Sequence, residues 1–171
     1  AGQELIMPVG DVQTLNITDG SKQQAIVSAA NELGVRPEDL AAVISQETMG
    51  TFDPQIIGGE NNNFKGLIQF GIPERKAYGY RDGMSFEEQM LGPVVRYLKD
   101  RGVKPGHGVK ELYAAILTGN VSTLDTDGLT RKDSFGTSVE SALPELNQGG
   151  SHYNNALDFL SEQGRFQQNS N

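Results

Sequence analysis

Apolar residues that recur with the helical period of about 3.6 predict two consecutive helices in the first third of the chain. The first begins near Ser21, and its period is carried by five apolar residues, Ala25, Ile26, Ala29, Ala30 and Leu33. Gly34 is a suitable stop. The second helix begins at Pro37, because proline suits the first helical position, and we expect it to extend to Gly50.

The segment from Gly50 to Gly71 is rich in Gly and Asn, which predicts loops or a small hairpin. Its apolar residues form two short runs. We expect β-like pieces at these runs, around Ile56–Ile57 and Leu67–Phe70.

The second half of the chain predicts further helices. Pro73 opens a short one toward Tyr78. Ser85 and the glutamate three residues later form a capping box, which starts a helix that runs to Gly102 and is kinked at Pro93. Weaker patterns predict three more helical stretches, near residues 109–118, 137–143 and 153–163.

These elements predict a mostly α fold, an α+β domain in which helices surround a small β or loop insertion. A chain of 171 residues has the size of one domain. We expect that domain to cover residues 21–166, with an N-terminal arm at 1–20 and a flexible tail at 167–171.

Composition and charge exclude several classes of function. The net charge of −8 argues against a nucleic-acid partner, because neutralising phosphates requires a basic face. No stretch approaches the roughly 18 apolar residues of a membrane-spanning helix. The absence of cysteine excludes disulfides, thiolate nucleophiles and thiolate metal sites. We expect a monomer. The chain begins at Ala1, which favours a processed form and leaves open whether a leader segment is missing.

The second helix carries the strongest candidate for catalysis. Four of its residues, at spacing i, i+3, i+4 and i+7, share one face: Leu40, Val43, Ile44 and Glu47. Burial of this face and the negative end of the helix dipole both raise the pKa of Glu47. A glutamic acid that stays protonated near neutral pH is suited to donate a proton to a glycosidic oxygen. The alternative is an ordinary helix-end residue with its carboxylate in water.

Three short segments carry a resemblance to a known family, namely 44–48 (Ile-Ser-Gln-Glu-Thr), 52–54 (Phe-Asp-Pro) and 66–70 (Gly-Leu-Ile-Gln-Phe). They resemble the helix-ending Glu-Ser, the Phe-x-Pro turn and the Gly-Leu-Met-Gln segment of soluble lytic transglycosylases and goose-type lysozymes. Thr48 stands where the family has Ser, and Ile68 where it has Met.

The resemblance continues more loosely through residues 112–120. Ile116 and Leu117 stand where the family has Tyr-Asn, which leaves Tyr113 as the nearest aromatic hydroxyl. This version is most similar to phage lytic enzymes, such as those of enveloped double-stranded RNA bacteriophages. The resemblance thus implies a lysozyme-like fold, a bacteriolytic role, and a location in a phage virion or the host periplasm, with other virion proteins as possible associates.

The resemblance also implies a mechanism with a single catalytic residue, Glu47, and no metal or cofactor. The substrate is the MurNAc–GlcNAc β-1,4 bond of peptidoglycan, cleaved with formation of a 1,6-anhydro ring. The residues implied to bind the glycan strand are Thr48, Phe52, Ile68, Gln69 and Tyr113. A hydrolytic outcome requires a second acid, for which the nearest candidates in sequence are Asp53, Glu60 and Asp82.

Two other classes of function stay open. One is a peptidoglycan endopeptidase, although His107 and His152 are the only histidines and neither lies in a zinc-ligand motif. The other is a non-catalytic phage structural protein that binds glycan. The segment Asp125–Gly128 resembles the opening of a calcium loop but lacks the closing ligands, so we interpret it as a turn.

Overall fold

The computed structural model describes the backbone of residues 21–170 and the side chains of residues 21–161. The arm predicted at 1–20 lies outside the described residues, as do Asn171 and the side chains of the predicted tail, so both stay predictions.

The described chain is mostly helical and carries a small two-stranded antiparallel sheet, which confirms the predicted fold class. The helices are α1 (Ser21–Leu33), α2 (Pro37–Glu47), α3 (Ile72–Tyr78), α4 (Phe86–Gln89), α5 (Val95–Asp100), α6 (Val109–Leu117), α7 (Val139–Leu146) and α8 (Ser151–Ser170). Within residues 21–170, no helix is both long enough and apolar enough to span a membrane.

Helix α2 lies at the centre of the core. Its consecutive residues Leu40 to Ile44 are all fully buried, because α1, α6, α7 and α8 pack around it. At its N-terminus Pro37 takes the first position, as expected, and the buried Asp39 pairs with Arg36 at 3.0 Å. Because α2 is enclosed by other helices, its position and direction are fixed, and so is the position of its last residue.

Helix α2 ends at Glu47, three residues before the predicted end at Gly50. The reason is local backbone geometry: Met49 and Gly50 have φ values of 53° and 81°, in the left-handed region. The Thr48 side chain closes the helix by donating a hydrogen bond to the Ile44 carbonyl at 2.8 Å.

The sheet pairs β1 (Ile57–Gly58) with β2 (Phe64–Lys65) around a 3₁₀ turn at Glu60–Asn62. The prediction of a strand at Leu67–Phe70 is therefore wrong, because the second strand lies at Phe64–Lys65. That segment is a tight turn, because Gln69 takes a φ of 56° and Phe70 bonds back to Lys65, with N···O distances of 2.7 and 3.0 Å.

The remaining helix signals are largely confirmed. The capping box forms as predicted, with the Ser85 Oγ accepting from the Glu88 N–H at 3.0 Å and the Glu88 carboxylate accepting from Ser85 N at 2.9 Å. Pro93 does not end the helix. The chain continues from α4 into α5 through a π-helical turn, Met90–Val94, which accommodates the missing proline N–H.

The boundaries at the C-terminal end differ from the prediction. Helix α7 begins and ends later than 137–143, since Ser138 caps its N-terminus by accepting from Ser141 N at 3.0 Å. Helix α8 extends beyond 153–163 in both directions. The segment Asp125–Gly128 is a turn after a 3₁₀ helix (Val121–Asp125), and Asp127 pairs with Arg131 at 2.7 Å.

One buried amide joins the helices to the loops. Gln89, the last residue of α4, is fully buried. Its Oε1 accepts from the Leu67 N–H at 3.0 Å, and its Nε2 donates to the Pro54 carbonyl at 2.6 Å. A Cβ at Gly66 would lie 2.7 Å from this Oε1, so glycine is required for the approach. Gln89 thus connects the loop after α2 to the turn after β2.

Replacing this amide tests its role. Gln89→Leu leaves the Leu67 N–H and the Pro54 carbonyl without their partner, and we expect the free energy of unfolding to fall by about 2–4 kcal/mol. Gln24→Leu, at a partly exposed position of α1, is the matched control and is expected to change stability by less than about 0.5 kcal/mol. Urea unfolding measures both. Equal stability of Gln89→Leu and the wild type would contradict this assignment.

Candidate active site

Glu47 is the last residue of α2, and its side chain is only partly exposed. Its pKa is raised from 4.5 to about 8. Loss of hydration is the larger cause, as the sequence predicted. The second cause is the negative charge of Asp133 rather than the helix dipole. The carboxyl group is therefore protonated at neutral pH.

Asp133 was not predicted from the sequence. It lies in the exposed loop 131–137, where its Oδ1 accepts from the backbone N–H groups of Phe135 and Thr137 at 2.9 and 2.8 Å. These bonds fix the carboxylate near Glu47, although 86 positions of sequence separate the two (133 minus 47). No local pattern signals such a pairing, because it depends on how α7 packs against α2.

Two of the three acids proposed from sequence proximity make local contacts in the structure, and the third is exposed. Asp53 accepts from the Gln55 N–H at 2.9 Å and closes a turn, and Asp82 pairs with Lys65 at 3.2 Å. Glu60 is exposed at the start of the 3₁₀ turn. None of the three contributes to the pKa shift of Glu47 among the described residues.

Two buried tyrosines complete the surroundings of Glu47. Burial raises the pKa of Tyr113, and the charges of Glu47 and Asp133 raise it further. Burial also raises the pKa of Tyr97 to about 12, with a smaller contribution from Glu47. The Tyr97 hydroxyl donates to the Ala115 carbonyl at 2.8 Å. Tyr113, which the resemblance implied as a substrate-binding residue, is therefore within electrostatic range of the candidate acid, and its role in binding stays a prediction. Tyr97 was not singled out from the sequence.

Thr48 and Phe52 hold the segment that follows Glu47. The Thr48 hydroxyl donates to Ile44 and accepts from the Phe52 N–H at 2.9 Å, and the Thr48 side chain is fully buried. The Phe52 ring is buried and stacks on Phe159 with centroids 4.1 Å apart. The observed contacts of these two residues are with the protein core, which suits positioning of the helix end.

A cavity of about 300 Å³ opens between the turn after β2, helix α5 and the end of α6. Two of the residues implied to bind substrate, Ile68 and Gln69, line it, as do Ile116 and Leu117. Tyr97 also lines the cavity, and the charge of Glu47 is the smallest of the contributions that raise its pKa. Glu47 itself is not one of the lining residues, and Tyr97 is the residue that links the candidate acid to the cavity. The Gln69 amide donates to the Gly66 carbonyl at 3.1 Å and holds the turn closed.

Two of the five non-glycine residues with left-handed backbone angles in the described chain lie in the segments that carry the family resemblance. They are Phe52 and Gln69, with φ values of 55° and 56°. Such conformations persist where the surrounding structure enforces them, and they are common at functional sites. Here Thr48 and Gln89 provide the hydrogen bonds that hold these segments.

The two histidines make separate contacts in different parts of the fold. His107 accepts from the Lys104 N–H at 3.0 Å in the loop before α6. The Nδ1 of His152 is 2.7 Å from the Ser45 hydroxyl, between α2 and α8. Among the residues with described side chains, no three His, Asp or Glu side chains are grouped as a metal site would require.

No protein-family model, curated protein or solved structure matches this chain. The similarity to lytic transglycosylases and goose-type lysozymes therefore depends on the motifs quoted above.

The raised pKa of Glu47 predicts how stability depends on pH. An acid whose pKa is higher in the folded chain than in the unfolded chain keeps its proton on folding. The free energy of unfolding therefore falls as the pH rises from about 4.5 to about 8. Glu47→Gln has no carboxyl group at this position, so this decrease in the free energy of unfolding with pH is absent from the variant. We expect the Tm of the variant, relative to the wild type, to rise by at least about 3 °C between pH 5 and pH 8. A Tm difference that does not change with pH would contradict the shift.

Proposed function

We propose that this protein is a peptidoglycan lytic transglycosylase in which Glu47 serves as both acid and base. The observation that carries the proposal is a carboxyl group at the end of a buried helix, protonated at neutral pH and in electrostatic contact with Tyr97, which lines an open cavity. The motifs around it, in 44–54 and 66–70, support the choice of a wall glycan as substrate.

In the first step the protonated Glu47 donates its proton to the glycosidic oxygen between MurNAc and GlcNAc. The C1–O bond breaks, and the GlcNAc leaves with a new hydroxyl group. The N-acetyl carbonyl oxygen of the MurNAc stabilises the positive charge at C1. Proton donation is the part of this step for which the pKa of about 8 is suited.

In the second step the Glu47 carboxylate removes the proton from the C6 hydroxyl of the same MurNAc, and O6 bonds to C1. This closes the 1,6-anhydro ring and restores the protonated acid. The desolvated surroundings and the charge of Asp133 disfavour the carboxylate, so they strengthen it as a base. One residue therefore performs both proton transfers, and the reaction requires no cofactor.

The similarity of residues 112–120 to phage lytic enzymes supports a biological setting for this activity. In that setting the enzyme opens the bacterial wall during phage entry or release, and it acts in the virion or in the host periplasm.

Removing the proton-donating carboxyl group of Glu47 tests the proposal. Gln is nearly isosteric with Glu but cannot donate the proton, so Glu47→Gln is expected to reduce clearing of purified peptidoglycan by about two to four orders of magnitude. Glu38→Gln, at the other end of the same helix, is the matched control and should retain activity. Thermal melts check that both variants are folded. Undiminished clearing by folded Glu47→Gln would eliminate Glu47 as the acid.

A second variant isolates the contribution of Asp133. Asparagine keeps the Oδ1 that accepts from Phe135 and Thr137, so Asp133→Asn preserves the turn while removing the charge. The pKa of Glu47 then falls, and we expect the basic limb of the pH–activity profile to move to lower pH. Asp127→Asn removes a charge from the neighbouring segment and should leave the limb in place. An unchanged limb in Asp133→Asn would show that the two carboxylates are not coupled.

A further inference from the structure

The helix that ends at Glu47 is joined to α8 by polar side chains that the proposed reaction does not use. Ser45 is fully buried, and its Oγ lies 2.7 Å from the Nδ1 of His152. Asn155, one turn further along α8, donates to the same Oγ at 3.1 Å. The other ring nitrogen of His152 faces Glu145, near the end of α7, with Nε2 and Oε1 3.6 Å apart. Three helices, α2, α7 and α8, therefore meet at one imidazole ring.

The neighbours of this ring indicate which nitrogen of His152 carries the proton. Burial lowers the pKa of His152, and the charge of Glu145 opposes that shift to a smaller extent, so the ring is neutral at pH 7. A carboxylate only accepts, so the nitrogen that faces Glu145, Nε2, carries the single proton of the neutral ring. Nδ1 is then the acceptor, and the Ser45 hydroxyl donates to it.

A second proton on the ring changes this contact. The proton binds at Nδ1, where it meets the buried Ser45 hydroxyl, and the hydroxyl proton then loses its acceptor. Among the described side chains, Glu145 of α7 is the one charged group that shifts the pKa of His152. From α2 the ring contacts the Ser45 hydroxyl, and the nearby Asn155 of its own helix is an uncharged amide, so neither offers a countercharge.

The contacts of Ser45 lie on both sides of Glu47 in sequence. The Ser45 hydroxyl is bonded to α8, and its carbonyl accepts from the Gly50 N–H at 2.8 Å. Helix α8 also approaches the backbone after Glu47, because a Cβ at Gly50 would lie 3.3 Å from the Nδ2 of Asn155. The segment 45–50 is therefore held against α8 before and after the candidate acid.

The same three side chains, Ser45, His152 and Glu145, resemble the nucleophile, base and acid of serine hydrolases. A nucleophile must reach a substrate carbonyl, and Ser45 has no exposed surface. The arrangement therefore suits the positioning of the nearby Glu47 and not a second reaction.

We infer that neutral His152 is a positioning residue for Glu47, which it holds in place by accepting the hydroxyl proton of Ser45. The inference rests on the proposed function, since it assigns the acidic limb of that activity to one side chain. As the pH falls below about 6.5, His152 takes up a proton and the end of α2 is held less firmly against α8. Glu47 keeps its proton in this range, so the limb belongs to His152.

The first test needs no catalysis. The chain has two histidines, so the imidazole signals of His152 and His107 can be followed separately by NMR. We expect His152 to titrate below pH 6.5, with the neutral ring protonated at Nε2. In His152→Asn the Oδ1 replaces Nδ1 as acceptor but does not titrate. The Tm of the wild type relative to this variant should therefore fall from pH 7 to pH 4.5, since a pKa lowered by folding destabilises the fold at low pH.

The second test measures clearing of peptidoglycan. Wild-type clearing should fall by about three- to tenfold between pH 7 and pH 4.5, the effect of one hydrogen bond. His152→Ala lacks the acceptor and should show a similar reduction already at pH 7, whereas His152→Asn should restore clearing at pH 7 and keep it at pH 4.5. His107→Asn is the matched control, because that histidine also accepts through Nδ1, from the Lys104 N–H, and this variant should retain the acidic limb.

A neutral ring protonated at Nδ1, a titration midpoint of His152 at or above 6.5, or an acidic limb that persists in His152→Asn would each overturn the inference. Clearing with a persistent limb leaves the glycosidase proposal standing without His152. Absence of clearing at every pH refutes the proposed function instead. The backbone amide signals of residues 45–50 then decide the positioning role: they should shift as His152 titrates and stay constant in His152→Asn, and unchanged wild-type signals would contradict it.

Discussion

The desolvation of one carboxyl group, that of Glu47, is the constraint on which the candidate site depends. Helix α2 is enclosed by four other helices, so the backbone position of its last residue is fixed and the side chain is only partly exposed. Ionising a carboxyl group there is unfavourable, and Asp133 makes it more so. The fold therefore holds a proton at a defined point on its surface at neutral pH.

The rest of the molecule fixes that point relative to the cavity lined by Ile68, Gln69 and Tyr97. Thr48 ends α2 and fixes the backbone of Phe52, whose ring is buried against Phe159. Gln89 then ties this loop to the turn that carries Ile68 and Gln69. Because the acid and the cavity wall are joined through one buried amide, their relative position depends on the core rather than on the loops themselves.

The structural elements that the sequence predicted correctly are those that local patterns determine. The helix at 21–33, the start of α2 at Pro37 and the capping box at Ser85 all follow from signals within one or two turns of chain. The position of Glu47 on a core-facing stripe followed from the same periodicity. The strand expected at Leu67–Phe70 failed because its apolar run resembles a buried strand, whereas the left-handed Gln69 makes it a turn. The contributions of Asp133 and Gln89 were not predictable, since each depends on packing between segments distant in sequence.

The most direct test of the central claim is mass spectrometry of the fragments released when the wild-type protein digests purified Gram-negative peptidoglycan. A single glutamate acting as acid and then as base predicts glycan fragments that end in 1,6-anhydromuramic acid. Intact glycan strands with severed peptide cross-links would contradict the account, because Glu47 would then not be acting on a glycosidic bond.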